Sequence, residues 1–156
     1  GVHVDVPAHR GVRRLGPGEP VTVADLQATG VAPQHGDIVV VRTGWAQHWH
    51  DRSAYLGDEQ GVPGIDVEAA RWLADRGVAA VGSDTLALEQ IPPATGLTTL
   101  PVHRLLLAER GINLIEAMSL ETLAERGITE FVFAGAPLNI LGATGAPIRP
   151  LALIGP

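Results

Sequence analysis

Short, almost uninterrupted apolar runs punctuate the chain, and stretches with helical spacing separate them. Ile38 to Val41, Val78 to Val81, Ile112 to Ile115, Phe131 to Ala134 and Leu151 to Ile154 are each strand-sized. Runs this apolar suit strands covered on both faces, as in sheets flanked by helices. Asp66 stands where an N-cap belongs, with Val67, Ala70, Leu73 and Ala74 as the inward stripe of a helix through Arg76 that Gly77 ends. Ser119 can cap a second helix, with Glu121 in its first turn and Gly127 at its end. A third starts at Pro101, a good first-turn residue, and runs through Leu105-Leu106-Leu107 to Gly111, and Thr22 starts a short one over Val23 to Gln27. Gly11 to Pro20, Asp58 to Gly64 and Ile91 to Thr99 are Gly/Pro-rich and predict loops. The alternation predicts an α/β fold and leaves the strand order open.

At 156 residues the chain fits one compact domain with a sizeable core. No apolar run approaches the roughly 20 residues that span a bilayer. No basic segment followed by an apolar stretch opens the chain, so the cytoplasm is the expected compartment, with an upstream portion expected before Gly1. The net charge is -6, and the 11 basic residues are all arginines scattered along the sequence. Nucleic-acid binding needs a concentrated basic face, so no nucleic-acid partner and no membrane partner is expected. Cysteine is absent, which leaves His, Asp and Glu as the side chains able to hold a metal.

The chemistry-bearing residues begin at once. His3, Asp5 and His9 follow the spacing His-x-Asp-x-x-x-His. On an extended strand His3 and Asp5 share a face about 7 Å apart; Pro7 ends regular pairing, and the chain can then turn to bring His9 toward the same point. Imidazole and carboxylate suit Zn²⁺ or Mn²⁺ acting on a bound water, although two histidines and an aspartate this close also arise in ordinary loops. Glu116 ends the run Ile112 to Ile115, beyond a strand's carboxyl end, where α/β folds bind ligands and where an unpaired carboxylate is costly. Asp84 is placed alike but also suits a plain turn cap. His103, early in an apolar helix, reads by itself as a hydrogen-bonded structural histidine. His48 and His50 flank Trp49 and face different ways on a helix, as surface or pocket-rim residues; His35 is a turn residue. Trp45, Trp49 and Leu86 are candidates for a pocket wall, with core packing as the plainer alternative.

Together these landmarks resemble the cyclase family of metal-dependent hydrolases, which includes bacterial kynurenine formamidase and isatin hydrolase. Its signature reads His-x-Gly-Thr-His-x-Asp-x-Pro-x-His, and Gly1-Val2-His3-Val4-Asp5-Val6-Pro7-Ala8-His9 follows it from the glycine onward. Gly36 to Trp45 is similar to the family's strand and Arg-Thr-Gly-Trp turn. Pro63-Gly64, Ala69 to Leu73 and Gly82-Ser83-Asp84-Thr85 are similar to its central helix and strand. Val102-His103-Arg104 with Leu114-Ile115-Glu116 resembles its second active-site pair, and Gly142 to Pro150 its closing segment. The likeness spans nearly the whole chain.

The resemblance implies a swivelling β/β/α single domain over residues 1–156 lacking its N-terminal portion, with a mixed sheet flanked by helices, assembled as a homo-oligomer (dimer or tetramer). It implies His3 and Asp5 as metal ligands, and His9 as a ligand to a second metal or as a base beside a single one. His103 and Glu116 would complete the second metal position or position the attacking water. Val2 stands where the family has threonine, Ala117 where an asparagine often follows the glutamate, and the family's first histidine would fall two residues before Gly1. The activity so implied is metal-dependent hydrolysis of a formamide or cyclic amide of a small organic molecule. A metal-dependent cyclase or dehydratase and a non-catalytic relative are the alternatives.

Overall fold

The computed structural model describes residues 1–57 and 59–155. Of the loop expected over Asp58 to Gly64, Asp58 lies outside the described residues. In chain order the elements are β1 (Val2–Asp5), α1 (Val6–Arg10), β2 (Pro20–Val21), α2 (Val23–Ala28) and β3 (Ile38–Arg42). A 3-10 turn (Trp45–His48), α3 (Arg52–Leu56), β4 (Gly64–Ile65), α4 (Val67–Asp75) and β5 (Ala80–Ser83) follow. The chain ends with α5 (Pro101–His103), a π-helical segment (Arg104–Glu109), β6 (Asn113–Ile115), α6 (Glu121–Glu125), β7 (Val132–Ala134) and β8 (Leu151–Leu153).

Four strands form one parallel sheet in the order β1-β3-β5-β6. Register divides its side chains between two faces, since partners in a parallel ladder point the same way. Val4, Val39, Val41, Val81 and Leu114 face one way and pack with Leu26 of α2, Ala69, Ala70 and Leu73 of α4, and Leu105 and Leu106 of the π segment. Val40, Ala80 and Ile115 face the other way, against Leu123 of α6 and the partly buried Phe131, Phe133, Ile148 and Ala152. His3 and Asp5 are in register with Val40 and Arg42 on this second face, which is covered by the short α6, the β7–β8 ribbon and the loops that flank them.

The expected mixture of strand directions sits at the edges. Thr129 to Phe131 runs antiparallel beside β1, with Gly1 and Phe131 exchanging hydrogen bonds of 2.7 and 3.0 Å and His3 N–H donating to Thr129 at 2.8 Å. β7 and β8 form an antiparallel pair of their own. Both were expected as strands buried on both faces, and that expectation is corrected. Val132, Leu151 and Leu153 are exposed, because the ribbon packs one side on the second core and, among the described residues, nothing lies over the other.

Local signals account for most helix ends. The Asp66 side chain accepts from Ala69 N–H, and Thr22 forms a capping box with Asp25. Asp5 ends β1 and at the same time caps α1 by accepting from Ala8 N–H. Two expectations need correction. Ser119 is not a cap: α6 starts one residue later, from Leu120, without a side-chain cap bond. The helix from Pro101 changes to π geometry directly after His103, a distortion that in helices is often met at functional positions. Among the described residues no helix is long and apolar enough to cross a membrane.

Leu73 is fully buried at the centre of the larger core, whereas Leu141 is fully exposed. Leu73→Ala is expected to cost about 2–5 kcal/mol in urea-induced unfolding, while Leu141→Ala is expected to change stability by less than about 0.5 kcal/mol.

Candidate active site

Every strand of the parallel sheet delivers a charged or polar residue at its carboxyl end. β1 ends on Asp5, β3 on Arg42 followed by Thr43, β5 on Ser83 followed by Asp84, and β6 is followed by Glu116. The carboxyl edge of an open parallel sheet is the usual ligand-binding place because the loops there diverge. The predicted residues gather at this edge as two groups.

The first group is His3, Asp5 and His9, which line one cavity of about 300 Å³ together with residues of α6 and the loop after it. His3 is 2% exposed. Its Nδ1 lies 2.8 Å from the Ile128 carbonyl oxygen. A carbonyl only accepts, so Nδ1 carries the hydrogen, and Nε2 is left buried without a partner among the described residues. Burial lowers the His3 pKa from its ordinary value, outweighing the bond to Ile128 and the nearby Asp5, so the ring is neutral. A neutral imidazole held through Nδ1–H with a free Nε2 lone pair has the electronic form that a divalent metal needs. Asp5 accepts from Arg42 at 2.8 Å and from Ala8 N–H at 3.1 Å, both on Oδ1, which leaves its second oxygen available. His9, on α1, is exposed at the cavity's rim.

The second group is His103 and Glu116, joined by a residue that the sequence pattern does not single out. His103 Nε2 lies 3.2 Å from Glu116 Oε1, and its Nδ1 lies 2.6 Å from Oε2 of Glu89. Glu89 is 1% exposed and also accepts the backbone N–H groups of Val102 and His103 at 3.1 and 3.0 Å. Hydrogen bonds to Glu116 and Glu89 raise the His103 pKa to about 9 despite partial burial. Glu89 lies in the segment Leu86-Ala87-Leu88-Glu89-Gln90, with no motif around it; the usable signal is an acid directly after an apolar run, which must be paired if buried.

The chemistry of the first group fits a divalent cation, since it offers a bare imidazole nitrogen beside an available carboxylate oxygen. The side chains do not close a coordination sphere by themselves: among the described residues, no group of three or more His, Cys, Asp or Glu is arranged to hold a metal ion. Asp84, read as either site residue or turn cap, is fully buried and works as a cap. Its carboxylate accepts from Thr43 N–H at 2.8 Å, the Thr43 hydroxyl at 2.7 Å and Gly44 N–H at 2.8 Å.

A larger cleft of about 1080 Å³ opens beside this edge, lined by Arg13, Arg14, Trp45 and His48 among others. His48 is thus a rim residue as expected. Trp45 is buried and donates its indole N–H to the Tyr55 carbonyl at 2.8 Å. Trp49 is exposed with its ring edge-on to Tyr55, and Leu86 is exposed.

The parallel α/β sheet thus carries, at its carboxyl edge, a buried neutral histidine near an aspartate in one group and a histidine–carboxylate pair in another. The family model described as "Putative cyclase" matches residues 1–90, and the chain belongs to the cyclase family. It is 31% identical over 129 residues to the isatin hydrolase of Roseibium aggregatum, covering 78% of this chain and 48% of that protein. Among solved structures, a novel cyclase is 33% identical with a TM-score of 0.85, over 99% of this chain and 52% of that one. Isatin hydrolase A from Ralstonia solanacearum is 26% identical with a TM-score of 0.81, over 99% of this chain and 59% of that one. The chain therefore spans about half the length of the relatives it matches.

The two histidines predict opposite pH dependences. His103 has its folded pKa, about 9, above the ordinary value of 6.5, so its pairing stabilises fully below pH 6.5 and fades as pH rises through 9. His3 has its folded pKa lowered, so its contribution is present above 6.5 and is lost on acidification. In chelator-treated protein, the Tm advantage of wild type over His103→Gln is expected to shrink steadily from pH 6.5 to 10, measured by thermal melts at constant ionic strength.

Proposed function

We propose that the protein is a metal-dependent hydrolase that cleaves an amide, a formamide or a cyclic amide, of a small organic molecule. The observation that carries this reading is the unpartnered Nε2 of His3, buried beside the available oxygen of Asp5. An orphaned polar atom in a tight interior costs stability unless something binds it. Likeness to isatin hydrolases supports the choice of an amide substrate.

In this reading His3 Nε2 and Asp5 hold Zn²⁺ or Mn²⁺, with His9 as a further ligand or as a base beside a single ion. His103 and Glu116 take part in a second metal position or position the water. When bound, the ion supplies Lewis acidity to the attacking water and to the substrate carbonyl. The chain's own groups do the rest. Glu116 Oε1 and His103 Nε2 lie within hydrogen-bond distance at 3.2 Å, which suits the pair to accept a proton from water and return it to the leaving nitrogen. Burial under α6 and the segment Ile128-Thr129 keeps bulk water away from His3. The cleft beside Trp45 and His48 offers the substrate a partly aromatic wall. A homo-oligomer acting in the cytoplasm on a small-molecule substrate completes the proposal.

A second reading, a cyclase or dehydratase using the same residues to polarise a carbonyl, is favoured by the likeness to a solved cyclase; product identification on lactam, formamide and polyketide-like panels separates the two.

Elemental analysis of the full chain is expected to find one or two equivalents of zinc or manganese. His3→Ala and Asp5→Ala should each lose metal and at least about 100-fold in hydrolysis of formamides or cyclic amides, the upper end of what loss of a mere supporting partner of a metal ligand costs. A folded wild type that stays metal-free after reconstitution would overturn the reading.

A further inference from the structure

Glu89 is the least expected charged group in the molecule. Its carboxylate is 1% exposed, and among the described residues its one ion pair is with His103. The backbone is built tightly around it. Leu88, just before it, is a fully buried leucine at φ +58°, in the left-handed region that a bulky side chain rarely adopts. Glu89 N–H closes a narrow turn back to the Ala87 carbonyl. Gln90 N–H donates to the Ile65 carbonyl at 3.1 Å and Ile65 N–H to the Leu88 carbonyl at 3.2 Å, locking the turn against β4. Gly64 packs so closely on this backbone that an added Cβ would lie 2.3 Å from the Glu89 carbonyl carbon. Backbone strain of this kind persists where the surroundings over-determine it, and it clusters at functional positions.

The three contacts that this turn aims at α5 are not equivalent. Two go to the N–H groups of Val102 and His103 and would satisfy any helix start. The third, 2.6 Å from Glu89 Oε2 to His103 Nδ1, is the shortest and is not needed for capping. Oε2 already accepts the His103 backbone N–H, so it serves as an acceptor here and the hydrogen of the contact sits on Nδ1. Nε2 is then the ring nitrogen that faces Glu116 at 3.2 Å.

We propose that Glu89 is a positioning residue for His103: from a strained, buried turn it fixes the ring's orientation and holds a proton on Nδ1, so that Nε2 is the atom presented to Glu116 and to the substrate side. The proposal deepens the proton-handling role given to His103 above, and rests on that reading for its kinetic consequence alone. A group that only caps α5 would be replaceable by any acceptor reaching the two backbone N–H groups. A group that orients the imidazole is not, because a glutamine at this place must turn either its oxygen or its amide hydrogens toward Nδ1.

Imidazole 15N NMR on the chelator-treated full chain, with His103→Gln to assign the signals, tests the geometry without any turnover. Wild type is expected to show a downfield, exchange-protected proton on Nδ1 of His103. In Glu89→Gln that proton should lose its protection while the backbone amide spectrum stays in place. A wild-type His103 protonated on Nε2 alone overturns the proposal, whether or not the variant folds, and so does an unchanged Nδ1 signal in folded Glu89→Gln. In the metal-loaded enzyme, Glu89→Gln should lower kcat by about 10–100-fold with KM little changed, and Glu89→Asp should recover part of the loss. An unchanged kcat counts against the positioning role. The expected NMR pattern in a protein inert on every amide tried would leave the positioning of His103 standing and would count against the amide-hydrolase reading instead.

Discussion

A carboxylate with no access to water must be met by donors, and the loops at the carboxyl edge of this sheet are arranged around that requirement at Asp84. Two backbone N–H groups and the Thr43 hydroxyl converge on it, with the Ser83 hydroxyl at 3.4 Å. Burial nevertheless pushes its pKa up, which indicates how costly the site is. Meeting that cost fixes the turn after β3. Gly44 takes φ +78° there, and the backbone and Cβ of Arg13 and Arg14 approach so closely that no side chain fits. The turn in turn holds Trp45 against the Tyr55 carbonyl, while the Tyr55 hydroxyl donates to the Asp84 carbonyl at 3.2 Å. Loops about 40 residues apart in sequence are thus tied to one buried oxygen pair, and the cleft beside them is lined by residues of the same turn.

From that rigid edge the fold sets two histidines in opposite states. His3 lies beneath a thin cover, bonded to a carbonyl and kept neutral by burial. His103 lies between two carboxylates and keeps its proton past neutrality. Pairs of titratable groups driven apart by their surroundings are how one fold supplies an acceptor and a donor at the same pH. The difference comes from position in the sheet. His3 points inward from an edge strand under α6, whereas His103 closes the short α5, which meets the carboxylates of Glu89 and Glu116.

Much of this was legible in the sequence because the signals are local. Asp66 and Thr22 cap their helices as their spacing predicts, and the apolar runs at Ile38 to Val41 and Val78 to Val81 lie in or against the central strands, the second shifted two residues toward Ser83. The His-x-Asp-x-x-x-His spacing does place three side chains on one cavity. What was not legible depends on tertiary partners. Apolarity alone could not tell that β7 and β8 would be covered on one face only, since burial there depends on what lies over the ribbon. Glu89 carried no pattern, because its role arises from α5 being folded back upon it. Ala117 is a further case. It follows Glu116 at φ +55°, a conformation that asparagine tolerates far better than alanine, so the asparagine common in the family at this place has a backbone reason as well as a polar one.

Arg42 explains how Asp5 can serve both fold and site. Its guanidinium is nearly buried and bridges Asp5 Oδ1 at 2.8 Å and Glu121 at 3.0 and 2.9 Å, so it ties β1, β3 and α6 into one network. A buried cation of this kind would be costly with one partner and is tolerable with two. The consequence for the site is geometric. Arg42 and Ala8 N–H both take Oδ1 of Asp5, which pins the carboxylate plane and turns the other oxygen away from the ion pair. A carboxylate held by one oxygen presents the other without rotational freedom, and a ligand so held loses less entropy on binding. The same arginine anchors α6 through Glu121, and α6 with the loop behind it covers His3. Arg42 therefore organises Asp5 directly and His3 through the helix above it. The His3–Asp5 pair on β1 is in this sense built from β3.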